Sequence, residues 1–580
     1  MSTESKDVTG LRAAPILEGS GEVTREQPRK RGPLPRWVRF GTPIAILAIG
    51  STMEAYIWIK NDGDGTIQMM QTLTYTVPLF VLGLLAWWTF LSGFRWKTRL
   101  IGLGLIALAS SAFGLTFRLK EFSGDMVPRF TLRWQRSAEQ RAADYWQNET
   151  NAAPTSASSS GNTSAVIEKL TIAPGDWPQF DGANRDGLAQ GVRIRTDWNQ
   201  RPPKQLWRHP VGAAWSSFSV VDNFAFTQEQ RGPDEAVVCY DARDGKQVWV
   251  HLDGDQRYDQ AMAGVGPRAT PTVYDSRVYT FGTAGVLNCL AARTGAVLWS
   301  KNALEEAGVK PLQFGMSGSP LVYDNLVVVN PGGPRMAIDG SETSGRAVIA
   351  YDRITGKEVW AAGDYQAAYA SPSLETIAGV KQVIIFDGLG AAGHDAATGK
   401  QLWRTPQWTN EFHNNIAQPI VGKQGGGQDS LFISSGYGTG SVLFDVKKSG
   451  KTWTLSERWQ APNKFKLKFN SGVARGGCVY GLDEGILACF DLSTGRQRWK
   501  RGHYGYGQIL LFENVLLVIS EEGDAALVDV SPQKAQELAR FRAIEGKTWN
   551  HPAYSNGRLF VRNGEEAACY DLGPLETASR

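Results

Sequence analysis

Hydrophobic and polar positions follow two rhythms along this chain. Near residues 40–59, 73–92 and 100–117 the apolar positions run almost unbroken. Each run is about 18–20 residues, enough to cross a bilayer as a helix. Beyond residue 176 the apolar runs are short, rich in Val, Ile, Tyr and Phe, and cut by Asp, Asn and Gly. That pattern predicts strands joined by tight turns.

One phrase recurs among these strands. It reads CYDARDGKQVW at 239–249, CLAARTGAVLW at 289–299, AYDRITGKEVW at 350–360, GHDAATGKQLW at 393–403 and CFDLSTGRQRW at 489–499. The apolar lead-in is a strand, and Asp-x-x-Thr-Gly is a turn. Asp bonds nearby backbone N–H groups, and Gly supplies positive φ. The segment ending in Trp opens the next strand. A repeat of 40–60 residues marks a repeat architecture, and an indole at one fixed place can tie successive units together.

Strand ends fall at Asp241, Ala291, Asp352, Asp395, Asp445, Asp491, Asp529 and Asp571. Aromatic anchors fall at Trp207, Trp249, Trp299, Trp360, Trp403, Trp459, Trp499 and Phe541. The series starts with an anchor that has no strand before it and ends with a strand that has no anchor after it. A ring closed by both chain termini requires this offset, and closure removes free sheet edges. The fold class read here is all-β: an eight-bladed β-propeller over 176–572 behind a three-helix transmembrane segment at 40–117. A cytoplasmic basic tail (1–39), a juxtamembrane segment and flexible linker (118–175) and a short C-terminal tail (573–580) complete the division.

The phrase resembles the quinoprotein-type (PQQ) propeller repeat, whose docking motif Ala-x-Asp-x-x-Thr-Gly-Lys-Glu-x-Trp is matched throughout 350–360. The resemblance implies one of two roles. One is that of quinone-dependent alcohol and glucose dehydrogenases. The other is that of the non-enzymatic BamB-type proteins of outer-membrane assembly. The segment DWPQFDGANRDG at 176–187 is similar to the lead-in of bacterial propellers of this kind.

A net charge of +4 over 580 residues argues against nucleic-acid binding. Cys239, Cys289, Cys489 and Cys569 occupy one equivalent strand position and read as buried thiols. Cys478 and Cys489 could face each other across a hairpin, and the spacing leaves their pairing open. No Cys precedes Cys239, a departure from lipid-anchored BamB-type proteins. The basic tail, the acidic 61–71 loop and the basic 93–99 loop orient the helices. They place the N-terminus in the cytoplasm and the propeller in the periplasm, on a bacterial inner membrane. The stretch 119–135 is expected on or just above the membrane surface, and NETNAAPTSASSSGNTSA at 148–165 reads as flexible linker. Glu54, inside the first apolar run, reads as a carboxylate snorkelling to the interface.

Propellers bind ligands in the axial funnel, and several inner strands here start with a small residue, Ser or Thr, then Pro. The residues just ahead of those starts are Trp215, Arg268, Met316, Tyr369, His413, Asn414, Asn470, Tyr506, Trp549 and His551. They serve either as ligand contacts or as packing and turn-making groups of the channel mouth. A quinone dehydrogenase needs a calcium ion held by carboxylate oxygens and a carboxylate base, and this set contains neither Asp nor Glu. No catalytic or metal-binding residues are assigned. The sequence therefore points to a non-catalytic binding or scaffold protein of the envelope, with envelope proteins or peptides as partners and no cofactor. The alternative is a membrane-bound dehydrogenase using PQQ with calcium.

Overall fold

The computed structural model describes residues 35–61, 64–152, 167–260, 263–333, 345–424, 427–513, 515–573 and 576–577. The expected tail up to residue 34 and the stretch 153–166 lie outside them. Three helices are long and apolar enough to cross a membrane: Trp37–Lys60, Gly65–Leu91 and Trp96–Thr116. They begin earlier than the apolar runs because flanking polar turns continue the helices. Glu54 does not reach outward. Its Oε1 accepts the Thr72 hydroxyl at 2.7 Å and the Trp58 indole N–H at 2.6 Å, which ties the first helix to the second.

The segment expected on or just above the membrane surface holds an antiparallel hairpin, Phe117–Phe122 with Pro128–Leu132. A helix, Ala138–Ala152, follows where part of the linker was expected.

Eight antiparallel blades come next. Blade one holds Ser219–Val221, Phe224–Arg231, Asp234–Asp241 and Gln247–Asp253. Blades two to seven repeat this up-and-down order along the chain, and blade seven gains a fifth strand, Leu188–Ala189, paired in parallel with Gln508–Phe512. Blade eight takes Ala553–Ser555, Arg558–Arg562 and Glu566–Asp571 from the C-terminal side and Lys204–Pro210 from the N-terminal side. Both ends of the propeller segment thus share one sheet, with Cys569 opposite Trp207. Beyond the expected boundary, Glu576–Thr577 pairs with Val192–Arg193.

Every blade carries the same bulge. The third and fourth strands slip register directly after the residue opposite the anchor: after Cys239, Cys289, Ala350, Gly393, Leu443, Cys489, Leu527 and Cys569. A bulge bends its strand and re-aims side chains. Here the indole lies over the Thr-Gly turn of the next blade. A Cβ on Gly295 would stand 2.5 Å from Trp249, and one on Gly399 2.4 Å from Trp360. These close approaches, at φ of 72° and 74°, are why the turn keeps Gly. Trp207, Trp249, Trp299 and Trp459 donate to the carbonyls of Ala242, Ala292, Arg353 and Leu492 in the following blade at 2.9–3.1 Å. Trp499 reaches Ser531 O at 2.8 Å.

Three places depart from the series. In blade seven the anchor position, opposite Leu527, is Ala539 and not Phe541. Phe541 sits two residues further on, against Trp198 and Tyr570. Trp403 donates within its own blade to Gln382 Oε1 at 2.7 Å. The Trp360 indole has no partner among the described residues. The equivalent carbonyl, Ala396 O, accepts the Tyr323 hydroxyl at 2.7 Å instead. All five cysteines are buried free thiols.

Candidate functional site

The inner-strand starts form a belt of hydrogen bonds around the hub. The backbone N–H of Ser217 donates to Thr270 Oγ1 at 3.0 Å, that of Thr270 to Ser319 Oγ at 2.9 Å and that of Ser319 to Ser371 Oγ at 2.9 Å. The Ser371 N–H donates to Gln418 Oε1 at 2.9 Å, and the Gln418 N–H to Ser471 Oγ at 3.2 Å. Gln508 Nε2 bonds Phe469 O and Trp549 O, and Asn550 Nδ2 bonds Ser216 O, which closes the belt across blades six, seven, eight and one. The Ser/Thr-Pro pattern therefore has a structural cause: each small polar side chain satisfies the neighbouring blade's backbone.

The 176–187 segment plugs one end of the hub. Trp177 bridges Val220, and Arg185, only 6% exposed, sends its guanidinium inward. Arg185 bonds Ser319 O at 3.1 Å, Pro372 O at 2.8 Å, Thr272 Oγ1 at 3.2 Å, Gln179 Oε1 at 2.8 Å and also Pro320 O. Burial pushes its pKa down to about 9. Nothing in the sequence pattern marked this residue.

The other end is covered by the start of the second long helix and by the 117–132 hairpin. Lys468 Nζ, fully buried, lies 3.2 Å from Asp64 Oδ1, 2.7 Å from Thr66 Oγ1 and 3.1 Å from Glu484 Oε2. The Thr66 hydroxyl donates to Gly124 O at 2.6 Å, and the Gly124 N–H to Glu521 Oε1 at 2.6 Å. Gly124 sits against the Tyr506 ring, where a Cβ would come within 1.9 Å. The Tyr506 hydroxyl lies 2.8 Å from Asp125 Oδ1 and 2.7 Å from Glu484 Oε2. The Tyr506 hydroxyl has one proton for these two carboxylate oxygens. Burial pushes the Glu484 carboxyl up against the pull of Lys468. Lys547 adds a bond to Phe122 O at 3.0 Å, and Lys120 and Arg129 pair with Glu565 and Glu522.

Between plug and cap lies a cavity of about 370 Å³. Of the residues expected from sequence, Trp215, Arg268, Tyr369, Asn414, Asn470, Trp549 and His551 line it. Met316, His413 and Tyr506 do not. Met316 is packed in the core beneath blades two and three, with its N–H on Thr283 O. His413 has φ of 56° and its Nδ1 lies 2.8 Å from Gly388 O. Tyr506 is held by the cap. The sequence reading missed Phe180, Phe314, Phe412, Tyr437 and Phe469, and also Ile67 and Met70 of the second long helix and Met126 of the hairpin loop. Aromatic runs beside the strand starts could have marked the first group.

Trp549 stacks on Phe469 at 4.6 Å and lies 5.2 Å from Trp215. His551 Nδ1 stands 2.8 Å from Asp181 Oδ1 at the cavity edge, and neither atom has a hydrogen-bond partner among the described residues. The Arg268 guanidinium bonds Phe314 O and, at 3.2 Å, Ala263 O, and burial pushes its pKa down to about 10. Among the described residues the lining holds no Asp or Glu. Of the nearby carboxylates, Asp387 pairs with Arg404 at 2.6 Å and Asp483 with Lys500 at 2.8 Å, whereas Asp64 Oδ2, Asp181 Oδ1 and Glu484 Oε1 are buried without a hydrogen-bond partner among the described residues. Among the described residues no three His, Cys, Asp or Glu gather to hold a metal ion.

Comparison with known proteins agrees with this architecture. Residues 233–501 match the family model described as outer membrane protein assembly factor BamB. Quinohemoprotein alcohol dehydrogenase ADH IIB of Pseudomonas putida is 30% identical over 218 residues, covering 34% of this chain and 28% of that protein. Tetrathionate hydrolase of Acidithiobacillus ferrooxidans is 27% identical over 369 residues, covering 54% of this chain and 67% of that protein. The match spans under a third of the two Pseudomonas putida quinohemoproteins, 28% of ADH IIB and 18% of ADH-IIG. Among solved structures, quinohemoprotein alcohol dehydrogenase from Comamonas testosteroni superposes with a TM-score of 0.51 at 14% identity, covering 70% of this chain and 82% of that one. BamB from Moraxella catarrhalis gives 0.42 at 16% identity, covering 63% and 97%. The chain carries a BamB-like, PQQ-repeat eight-bladed propeller behind three helices long and apolar enough to cross a membrane.

Proposed function

We propose that this protein is a non-catalytic binding and scaffold propeller, held by three helices on the periplasmic face of a bacterial inner membrane and working in envelope assembly. The observation that carries the reading is the hub itself. Its cavity is closed on one side by the start of the second long helix and the 117–132 hairpin, and among the described residues its lining holds no carboxylate. A calcium-bound quinone needs acidic oxygen ligands and a neighbouring carboxylate base, and the lining does not fit that group. The basic and acidic flanks of the helices support the orientation. The BamB description of the matching family model supports the assembly role by analogy.

A second reading, a quinone-dependent dehydrogenase, draws on the 30% identity to the Pseudomonas putida alcohol dehydrogenases. Titration of the full chain in nanodiscs with pyrroloquinoline quinone and calcium separates the two. The binding reading predicts no saturable absorbance shift and no dye reduction with ethanol or glucose. Saturable binding with substrate-dependent dye reduction would reverse the assignment.

A further inference from the structure

We infer that the hub chamber binds an amphipathic carboxylate, its oxyanion head on the belt of strand starts and its apolar body against the membrane-domain wall. The inference rests on the binding reading above and names the ligand class for that site.

The head chemistry follows from the belt. Thr270, Ser371 and Ser471 line the cavity, and each of their oxygens already accepts a backbone N–H. A hydroxyl that accepts still has one proton to donate. Gln418 uses Oε1 as acceptor for Ser371 N–H, while its Nε2 has no partner among the described residues, although the residue is only 6% exposed. An unmade bond at a buried amide is costly. The Tyr369 oxygen accepts the Phe314 N–H at 3.3 Å, which leaves its proton for a ligand. Arg268 adds a fixed positive charge, with Nη2 unpartnered among the described residues. Gln418 Nε2 and Arg268 Nη2 are thus donors left to be satisfied, His551 Nδ1 also lacks a partner beside Asp181, and among the described residues the lining holds no Asp or Glu. A ligand suited to them presents acceptors and negative charge.

The body chemistry follows from the rest of the wall. Ile67, Met70, Met126, Phe314, Phe412 and Phe469 give an apolar, aromatic surface. Ile67 and Met70 lie at the start of the second membrane-length helix, Gly65–Leu91, so the wall continues into the element that crosses the bilayer. The cavity of about 370 Å³ falls within the range of small-molecule pockets.

The test uses the full chain in nanodiscs and a diazirine-bearing palmitate analogue, followed by peptide mapping. Labelling is expected on peptides containing Met70, Trp215 or Phe469, competed by palmitate and at least about tenfold less well by its methyl ester or by hexadecyl phosphate. Gln418→Glu keeps an acceptor for the Ser371 N–H and replaces the donor by an oxygen, so it is expected to weaken labelling about tenfold, with the melting temperature read beside it to separate loss of binding from loss of fold. Arg268→Lys serves as a second variant and should weaken labelling as well. Labelling confined to the outer faces of the helices, equal competition by the ester, or an unaffected Gln418→Glu variant overturns the inference. Preferential competition by hexadecyl phosphate overturns the carboxylate head. Any of these results leaves the binding reading standing unless dye reduction is also observed.

Discussion

The Nζ atom of Lys468 stands 3.2 Å from Oδ1 of Asp64, 404 positions earlier in the chain. This pair joins the membrane domain to the propeller hub, and both side chains are buried. Removing one member of a buried ion pair leaves an uncompensated charge, at about 3–5 kcal/mol. Lys468→Met is therefore expected to lower the unfolding midpoint in detergent and to speed tryptic cleavage of the 117–132 hairpin. Asp64→Asn in the same background should recover part of the loss. An unchanged cleavage rate in Lys468→Met would mean that the cap does not depend on this pair.

Much of the ring was legible because its cause is local. The Asp turn, the positive-φ Gly and the Trp all lie within eleven residues, so the blades and the shared closing sheet could be counted from the pattern alone. Phe541 misled because aromatic character was taken as the anchor, whereas register gives the place to Ala539. The cap was not legible. Gly124 and Glu521 are 397 positions apart, and no periodicity encodes such a meeting. Met316 and His413 misled through offset: the residue two ahead of each belt residue lines the cavity, which is Arg268 for Thr270, Tyr369 for Ser371, Ser317 for Ser319 and Ile416 for Gln418.

The docking indoles differ in a way that substitution can read. Trp249 donates to Ala292 O at 2.9 Å, whereas the Trp360 indole has no acceptor among the described residues. Trp249→Phe should lose about 1 kcal/mol more than Trp360→Phe, the worth of one hydrogen bond. Either Trp→Ala change should cost about 3–5 kcal/mol through the cavity left between blades. Urea midpoints of the four variants give the comparison.

Arg185 should act as a linchpin of the plug. Arg185→Ala removes its bonds to Ser319, Pro320 and Pro372 and leaves those carbonyls buried beside a void. A loss of at least about 3 kcal/mol is expected, with Arg185→Lys recovering only part because Lys cannot fork. Thermal unfolding of both variants tests this.

Glu235 lends the propeller a pH dependence. Buried and accepting from the Thr283 N–H and hydroxyl, it has its pKa pushed up by burial to about 7. A raised folded-state value means the folded chain holds the proton over a range where the unfolded chain has released it. The contribution is full below the ordinary carboxylate value and is lost as pH rises through about 7. Stability should therefore fall between pH 5 and 7, and Glu235→Gln should flatten that slope. Denaturant midpoints at both pH values check the sign, and a parent protein that gains stability over this range would contradict the assignment.

A cryo-EM map of the full chain in lipid nanodiscs, prepared with pyrroloquinoline quinone and calcium present, bears most directly on the closed hub. The account predicts the 117–132 hairpin seated on the hub with Gly124 against Tyr506, and no quinone or ion in the chamber. A hub open to solvent, or one holding a quinone with a coordinated ion, would contradict it.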